Sequence, residues 1–454
     1  MSAGGDAANL APLAGGKGVA LASPVPADVA AVGYVEHEYT ATGTATAFQP
    51  VGALGFDGHW ELAPAGTAPY QTRVVVRRPA DAGSFSGTAV VEWLNVSSGH
   101  DADVGWASAH EEITRRGHAW VGVSAQLIGV SGGPVVASTV AGADAPGLVG
   151  TDPERYGHLI HPGDGFAFDV FTQVARAVRA GGQPLGGATP TTVLAWGQSQ
   201  SAYALVTYVD GVAPRLAVAP FDGYLVHSRG VGGMALALPG EPAGLTELAV
   251  ATPVIVRTDT PVPVLIVQAE GDLTYVLRSL AARQEDSPTV RTWEVAGAAH
   301  ADRHTLGAFA DLLDCGVPVS DAPMHVVVKA ALRALETWVR IGAPPASSPR
   351  IATAVGEVVR DGDGIALGGI RVPGVEAPLD VLSGVPGPDP SVICQLLGST
   401  VPLPAERTAA LYASREDYLA RYTAATEALI AAGFALAEDR DALLAHAQPG
   451  RIAP

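Results

Sequence analysis

Between residues 85 and 340, short apolar runs alternate with longer stretches of helical periodicity, and nothing else in the chain constrains its fold so tightly. Strand following helix following strand implies βαβ units, and so a mostly parallel sheet with helices on both faces. Strands are expected at 34–48, 70–78, 87–94, 119–124, 190–196, 221–227, 262–268 and 289–295. Helices are expected at 106–116, 164–180, 200–209, 275–283 and 326–338. In the second of these, Phe168, Phe171, Val174, Ala175 and Val178 recur at helical spacing.

Three domain regions follow from this pattern. Residues 1–30, rich in Gly, Ala and Pro, read as a loose arm. Residues 31–345 read as the catalytic α/β domain, with an apolar, Pro- and Gly-broken insertion at 231–256 that resembles a small cap. Residues 346–454 read as a C-terminal extension packed on the same core, ending in a helix that Ser414 caps and that presents Tyr418, Tyr422, Ala425 and Leu429 on one face. The Gly-, Pro- and Ser-rich segment 127–163 is expected to be a long surface excursion.

Composition narrows the function class. With 45 acidic against 27 basic residues the net charge is −18, which argues against a general nucleic-acid binder. No run of eighteen apolar residues occurs, so no membrane span is expected. The first twenty residues lack the charged start and apolar stretch of a secretion signal, and a cytoplasmic location is expected. Cys315 and Cys394 read as buried thiols, with one structural disulfide as the alternative.

The candidate nucleophile lies in Gly197-Gln-Ser199-Gln-Ser201, directly after the strand ending at Trp196 and directly before a helix. A tight turn at such a junction lifts a serine hydroxyl above the sheet at a helix N-terminus, and it needs small neighbours because helix and strand approach closely. Ser201 stands where the usual pattern has glycine. A serine nucleophile needs a base, and the base an orienting acid. One later strand runs into Ala269-Glu270-Gly271-Asp272, and the next into Ala296-Gly-Ala-Ala-His300. The order Ser199, acid, His300 is that of the α/β-hydrolase fold. Asp272 is the favoured acid and Glu270 the alternative. Gln200 supplies one backbone donor for the developing oxyanion, and Asn95 or Val96, after the third strand, supplies the second.

Other residues have plainer readings. His300 and His304 are four apart but lack a third ligand at a telling spacing, and His110-Glu111 lacks the second histidine of a zinc-protease helix, so no metal is expected. Asn95-Val-Ser97 is also a glycosylation sequon, a reading of little weight beside the oxyanion one.

Five stretches carry a family resemblance: Val91-Glu-Trp-Leu-Asn-Val-Ser-Ser-Gly99; Tyr156-Gly-His-Leu-Ile-His-Pro-Gly-Asp164 with Phe168-Asp-Val-Phe171; Gly197-Gln-Ser-Gln-Ser-Ala202; Phe221-Asp-Gly-Tyr-Leu-Val-His-Ser-Arg229; and Ala331-Leu-Arg-Ala-Leu-Glu-Thr-Trp338 with the later Gly-Gly-Ile-Arg-Val-Pro373. Together they resemble the "alpha/beta hydrolase domain" family of bacterial and fungal serine hydrolases. The resemblance implies an α/β-hydrolase fold, Ser199 as nucleophile and no cofactor, and it makes Ser201 the family's own pattern. His161, Asp164, His227 and Arg229 lie in these stretches and serve either substrate or structure, Arg229 by pairing with a carboxylate such as Asp222. The expectation is a serine carboxylic-ester hydrolase acting on a hydrophobic small molecule roofed by 127–163 and 231–256. The rival readings are an acyltransferase using the same triad and a non-catalytic binding protein.

Overall fold

The computed structural model describes residues 6–24, 28–138, 142–244 and 252–452. Its centre is a ten-stranded sheet. In chain order the strands are β1 (Asn9–Leu13), β2 (Tyr34–Pro50), β3 (Leu62–Pro79), β4 (Thr88–Trp93), β5 (Ala119–Val123), β6 (Thr192–Gln198), β7 (Gly223–His227), β8 (Val264–Ala269), β9 (Val290–Ala296) and β10 (Ile370–Arg371). Their order across the sheet is β1-β2-β3-β5-β4-β6-β7-β8-β9-β10. The first three strands and the β3–β5 step are antiparallel, and every pairing from β5 to β10 is parallel.

The parallel strands are mostly apolar on both sides because both faces are covered. Side chains alternate between two cores. Ala89, Val91 and Trp93 of β4, with Val193 and Ala195 of β6, join the core under α2 (Ala167–Ala180) and α3 (Gln200–Thr207). Val90 of β4 and Leu194 and Trp196 of β6 join the opposite core, under α1 (Val104–Arg115) and α4 (Met324–Ile341). Phe168, Phe171, Val174, Ala175 and Val178 are all buried on the sheet-facing side of α2, as their spacing requires.

Several expectations need correction. The N-terminal arm is not loose throughout, since Asn9–Leu13 forms the sheet's first edge strand. The segment after Asp272 is not a helix over 275–283. It is a loop with Tyr275 and Arg278 at φ of 52°, and only Ser279–Ala282 coils, as a 3-10 turn. Cys315 and Cys394 are not free thiols but a disulfide with Cα atoms 5.4 Å apart. Among the described residues no helix is long and apolar enough to cross a membrane.

The C-terminal region adds β10 to the sheet and places Ile351, Ile365, Ile370, Leu429, Phe434 and Leu443 in the core with α4. Ser414 accepts a hydrogen bond from the Asp417 N–H at 3.2 Å and caps the long C-terminal helix Arg415–Ala431. Tyr418, Tyr422 and Leu429 on that helix are buried.

Candidate active site

The site forms where parallel strands end. Ser199 follows β6 with φ 57° and ψ −121°, left-handed backbone that a non-glycine residue adopts at a cost of about 1–3 kcal/mol. Close packing enforces the turn. A Cβ at Gly197 would collide with the carbonyl of Ser201, so only glycine fits. Ser201 is fully buried, and its hydroxyl donates to the Leu94 carbonyl at 3.2 Å. That bond explains the serine in place of glycine, because it ties the first turn of α3 to the end of β4. The Ser199 N–H donates to the His227 carbonyl on β7 at 3.0 Å, fastening the turn on its other side.

The structure brings Ser199, His300 and Asp272 together. His300 Nε2 lies 2.8 Å from Ser199 Oγ, and His300 Nδ1 lies 2.7 Å from Asp272 Oδ1. Asp272 is fully buried, and its other oxygen accepts the Ala269 N–H at 2.6 Å. Donation from Nδ1–H to the carboxylate leaves Nε2 unprotonated, ready to accept the serine proton. A sheet-end turn, the β8 end and the β9 end thus supply one residue each.

Glu270, two residues before Asp272, points elsewhere. Its carboxylate accepts from the Gly297 N–H at 2.7 Å, Arg360 Nη2 at 2.6 Å, the Gly384 N–H at 3.0 Å and Ser383 Oγ at 3.1 Å. It clamps the C-terminal region to the β8 and β9 ends.

Near the nucleophile, Asn95 Oδ1 accepts from the Ser97 N–H at 2.8 Å and Asn95 Nδ2 donates to the Gln198 carbonyl at 3.0 Å. The Asn95 N–H donates to the Ala102 carbonyl at 3.1 Å, and the Val96 N–H to Gln200 Oε1 at 3.4 Å. The Gln200 N–H opens α3, where helix geometry offers it no intrahelical acceptor.

A cavity of about 620 Å³ opens over Ser199. Val104, Val136, Leu277, Leu306, Phe309 and Ile393 represent its walls, and among the described residues the lining carries no Asp, Glu, Lys or Arg. The expected roof is only partly right. Val136 and Ala137 come from the 127–163 excursion, but no described residue of 231–256 lines the cavity, and 245–251 lie outside the described residues. Met234, Val254 and Val256 are buried in the core under α3 instead. Sequence reasoning missed the contributions of Ala22–Pro24, Val276, Thr305 to Phe309 and Val392 to Leu396. The apolar pair Leu306 and Phe309, six and nine residues beyond His300, was the one readable signal. The disulfide sits behind this last wall, with Cys315, Cys394, Ile393 and Leu397 in one apolar cluster.

The remaining candidates hold structure. Asp164 accepts from the Leu127 N–H at 2.6 Å, the Ala243 N–H at 2.8 Å and Gln126 Nε2 at 3.2 Å, joining three segments. His161 Nε2 pairs with the Ala125 carbonyl at 2.9 Å. Arg229 does not pair with Asp222, which Arg179 holds at 2.8 Å. It donates to the carbonyls of Gly230 and Val254, at 2.9 and 2.6 Å. Burial pushes its guanidinium down to about 10, with Asp210 and Tyr203 pulling it back up. Burial likewise pushes His227 down to about 4, against the pull of Asp272 and with the push of His300. A neutral His227 therefore lies beneath the triad. His304 stacks on His325 with ring centroids 3.7 Å apart and reaches the Ala107 carbonyl at 3.1 Å, not a shared site with His300. Among the described residues no group of three or more His, Cys, Asp or Glu is arranged to hold a metal.

The profile of the alpha/beta hydrolase domain family matches residues 9–445. The chain belongs to that family. No protein of curated function matches it. Solved structures similar to it include a fungal esterase from Rhizomucor miehei, at 12% identity, 66% of this chain, 86% of that chain and a TM-score of 0.34. Another is a thermostable esterase from Pseudomonas putida, at 14% identity, 66% of this chain, 83% of that chain and a TM-score of 0.31. A lidless α/β serine hydrolase from Xanthomonas campestris shares 14% identity over 64% of this chain and 94% of its own, with a TM-score of 0.29. Likenesses this distant carry no argument about substrate. Family and fold support a hydrolase.

Proposed function

We propose that this α/β hydrolase cleaves carboxylic esters of uncharged, apolar small molecules through an acyl-enzyme on Ser199. The observation that carries the reading is the hydrogen-bonded line from Ser199 through His300 to Asp272, at 2.8 and 2.7 Å, on a strained turn beneath an uncharged cavity. The cavity volume falls in the ~300–1,000 Å³ range of small-molecule sites.

The steps follow from the geometry. Ser199 Oγ adds to the ester carbonyl carbon while its proton passes to His300 Nε2. The carbonyl electron pair moves onto oxygen, where the Gln200 N–H and a donor from the 95–96 region receive it. Asp272 stabilises the imidazolium without taking its proton. Collapse re-forms the carbonyl and expels the alcohol, which takes the proton from His300. Water, deprotonated by the same histidine, then releases the acid and restores Ser199. No step calls for a cofactor.

A panel of small neutral esters, assayed with wild type and Ser199→Ala, tests this. Ser199→Ala is expected to lose about 10³-fold or more in kcat, and a fluorophosphonate is expected to label wild type only. Labelling of neither protein would favour a binding role, and product appearing mainly on an added alcohol would favour acyl transfer.

A further inference from the structure

We propose that the second oxyanion donor is the side-chain amide of Asn95, and not a backbone N–H of the loop that carries it. This rests on the esterase reading above. The backbone donors of Asn95, Val96 and Ser97 are committed. Asn95 and Ala102 exchange two backbone hydrogen bonds, at 3.1 and 2.8 Å, closing the loop on itself. The Val96 N–H faces Gln200 Oε1 at 3.4 Å, and Val96 does not line the cavity. Gln200 is itself held, because its Nε2 donates to Gln126 Oε1, which also accepts Trp93 Nε1 at 3.0 Å. Gln126 in turn donates to Asp164 at 3.2 Å. This row of buried amides and a carboxylate keeps the Gln200 side chain against Val96.

The loop cannot easily rotate to free another N–H. Its far end is pinned by two buried ion pairs, Arg73 to Asp101 at 2.6 Å and Arg77 to Asp103 at 2.5 Å. The Ser97 N–H is taken by Asn95 Oδ1 at 2.8 Å. Asn95 lines the cavity beside Ser199 and Gln200. Its amide orientation follows from its partners, since Oδ1 meets a donor and Nδ2 meets the Gln198 carbonyl. An amide nitrogen carries two hydrogens, and Gln198 uses one. The second is available to the carbonyl oxygen as it gains charge, opposite the Gln200 N–H. No bond to Asn95 forms or breaks; it donates a hydrogen bond that strengthens as the tetrahedral anion develops.

The test compares an oxo-ester with its thiono analogue, whose sulfur accepts hydrogen bonds weakly. Loss of an oxyanion donor costs about 10²–10³ in kcat, and only the oxo-ester should feel it. Asn95→Ala is therefore expected to lower oxo-ester kcat by that factor, leave thiono-ester kcat within a few-fold, and collapse the ratio. Asn95→Asp, which keeps the acceptor for the Ser97 N–H and so the loop's shape, is expected to show the same collapse if Asn95→Ala folds poorly. An equal fall for both esters would mean a structural role and overturn the proposal, as would full oxo-ester turnover in Asn95→Ala. Ser199→Ala separates the two levels. Turnover surviving in it sinks the esterase reading and this inference together, whereas an inactive Ser199→Ala beside a fully active Asn95→Ala removes the inference alone.

Discussion

Two carboxylates two residues apart compete for the role of triad acid, and their surroundings predict opposite outcomes for near-isosteric changes. Asp272 makes one side-chain bond to the Ala269 N–H and one to His300, at 2.6 and 2.7 Å. Asp272→Asn keeps a carbonyl oxygen for one of these. It leaves the imidazole in the wrong tautomer, a defect worth about 10⁴ in kcat in triads of this kind. Stability should change little. Glu270 is the reverse case. It accepts four donors, including Arg360 at 2.6 Å, and is 1% exposed. Glu270→Gln removes the charge facing Arg360 and turns one oxygen into a donor facing donors. Breaking a buried pair from one side costs about 3–5 kcal/mol. Arg360 is partly exposed to water, so the lower end of that range, about 3 kcal/mol, is expected. Urea denaturation would measure the stability change, and ester turnover well below the unfolding transition would measure kcat. A Glu270→Gln protein with an unchanged urea midpoint and a 10⁴-fold loss of kcat would refute the assignment.

Gly197→Ala is expected to abolish a folded site, because its Cβ would overlap the Ser201 backbone; circular dichroism and fluorophosphonate labelling of the purified variant would show it. Replacing Cys315 and Cys394 by Ser releases a link across 79 residues, worth about 4 kcal/mol in the chain-entropy account. Because Ile393 and Leu396 wall the cavity beside that link, KM for bulky esters should rise several-fold with kcat less affected. Glu336 has its carboxyl held down at about 2: burial would raise it, but His118, Thr88 and Arg116 outweigh that. A depressed folded pKa lends stability above the unfolded value and loses it as pH falls from about 4.5 through 2. Up to about 3 kcal/mol is therefore lost across that window, and Glu336→Gln should flatten the pH dependence of urea denaturation there.

The meeting of Ser199, Asp272 and His300 was legible because each closely follows a buried apolar run, and such runs stand out in sequence. Val193-Leu-Ala-Trp196, Val264 to Gln268 and Val290 to Val295 could scarcely be anything else, and in a parallel sheet their C-terminal ends share one rim. The acid was not legible with the same sharpness. Glu270 and Asp272 lie in one turn, and which of them reaches His300 depends on φ and ψ that no residue letter encodes. The disulfide was hidden for a different reason. Cys315 and Cys394 meet only because the loops 313–319 and 393–397 share an apolar cluster, a long-range contact without a local period. Apolar content alone does not distinguish a roof over the site from a plug in the core. Met234, Val254 and Val256 are apolar because they plug the core under α3.

These differences divide chemistry from selectivity along the chain. In the proposed mechanism residues 197–300 supply the nucleophile, base and acid, all from the ends of parallel strands. The walls that choose a substrate arrive from elsewhere, namely Ala22–Pro24 before the sheet and Val392 to Leu396 after it. The C-terminal wall is tied to the triad's own support. Glu270 receives Arg360, Ser383 and Gly384 at 2.6–3.1 Å, and the next residue but one after Glu270 is Asp272. The same clamp that seats the extension thus steadies the turn bearing the acid. Removing the extension would therefore do more than widen the pocket: it would strip Glu270 of Arg360, Ser383 and Gly384 and loosen the turn that carries Asp272 as well. Specificity in such a chain can drift by changing the loops at 22–24 and 392–396, but the clamp at Glu270 is a point where pocket shape and catalytic geometry cannot vary independently.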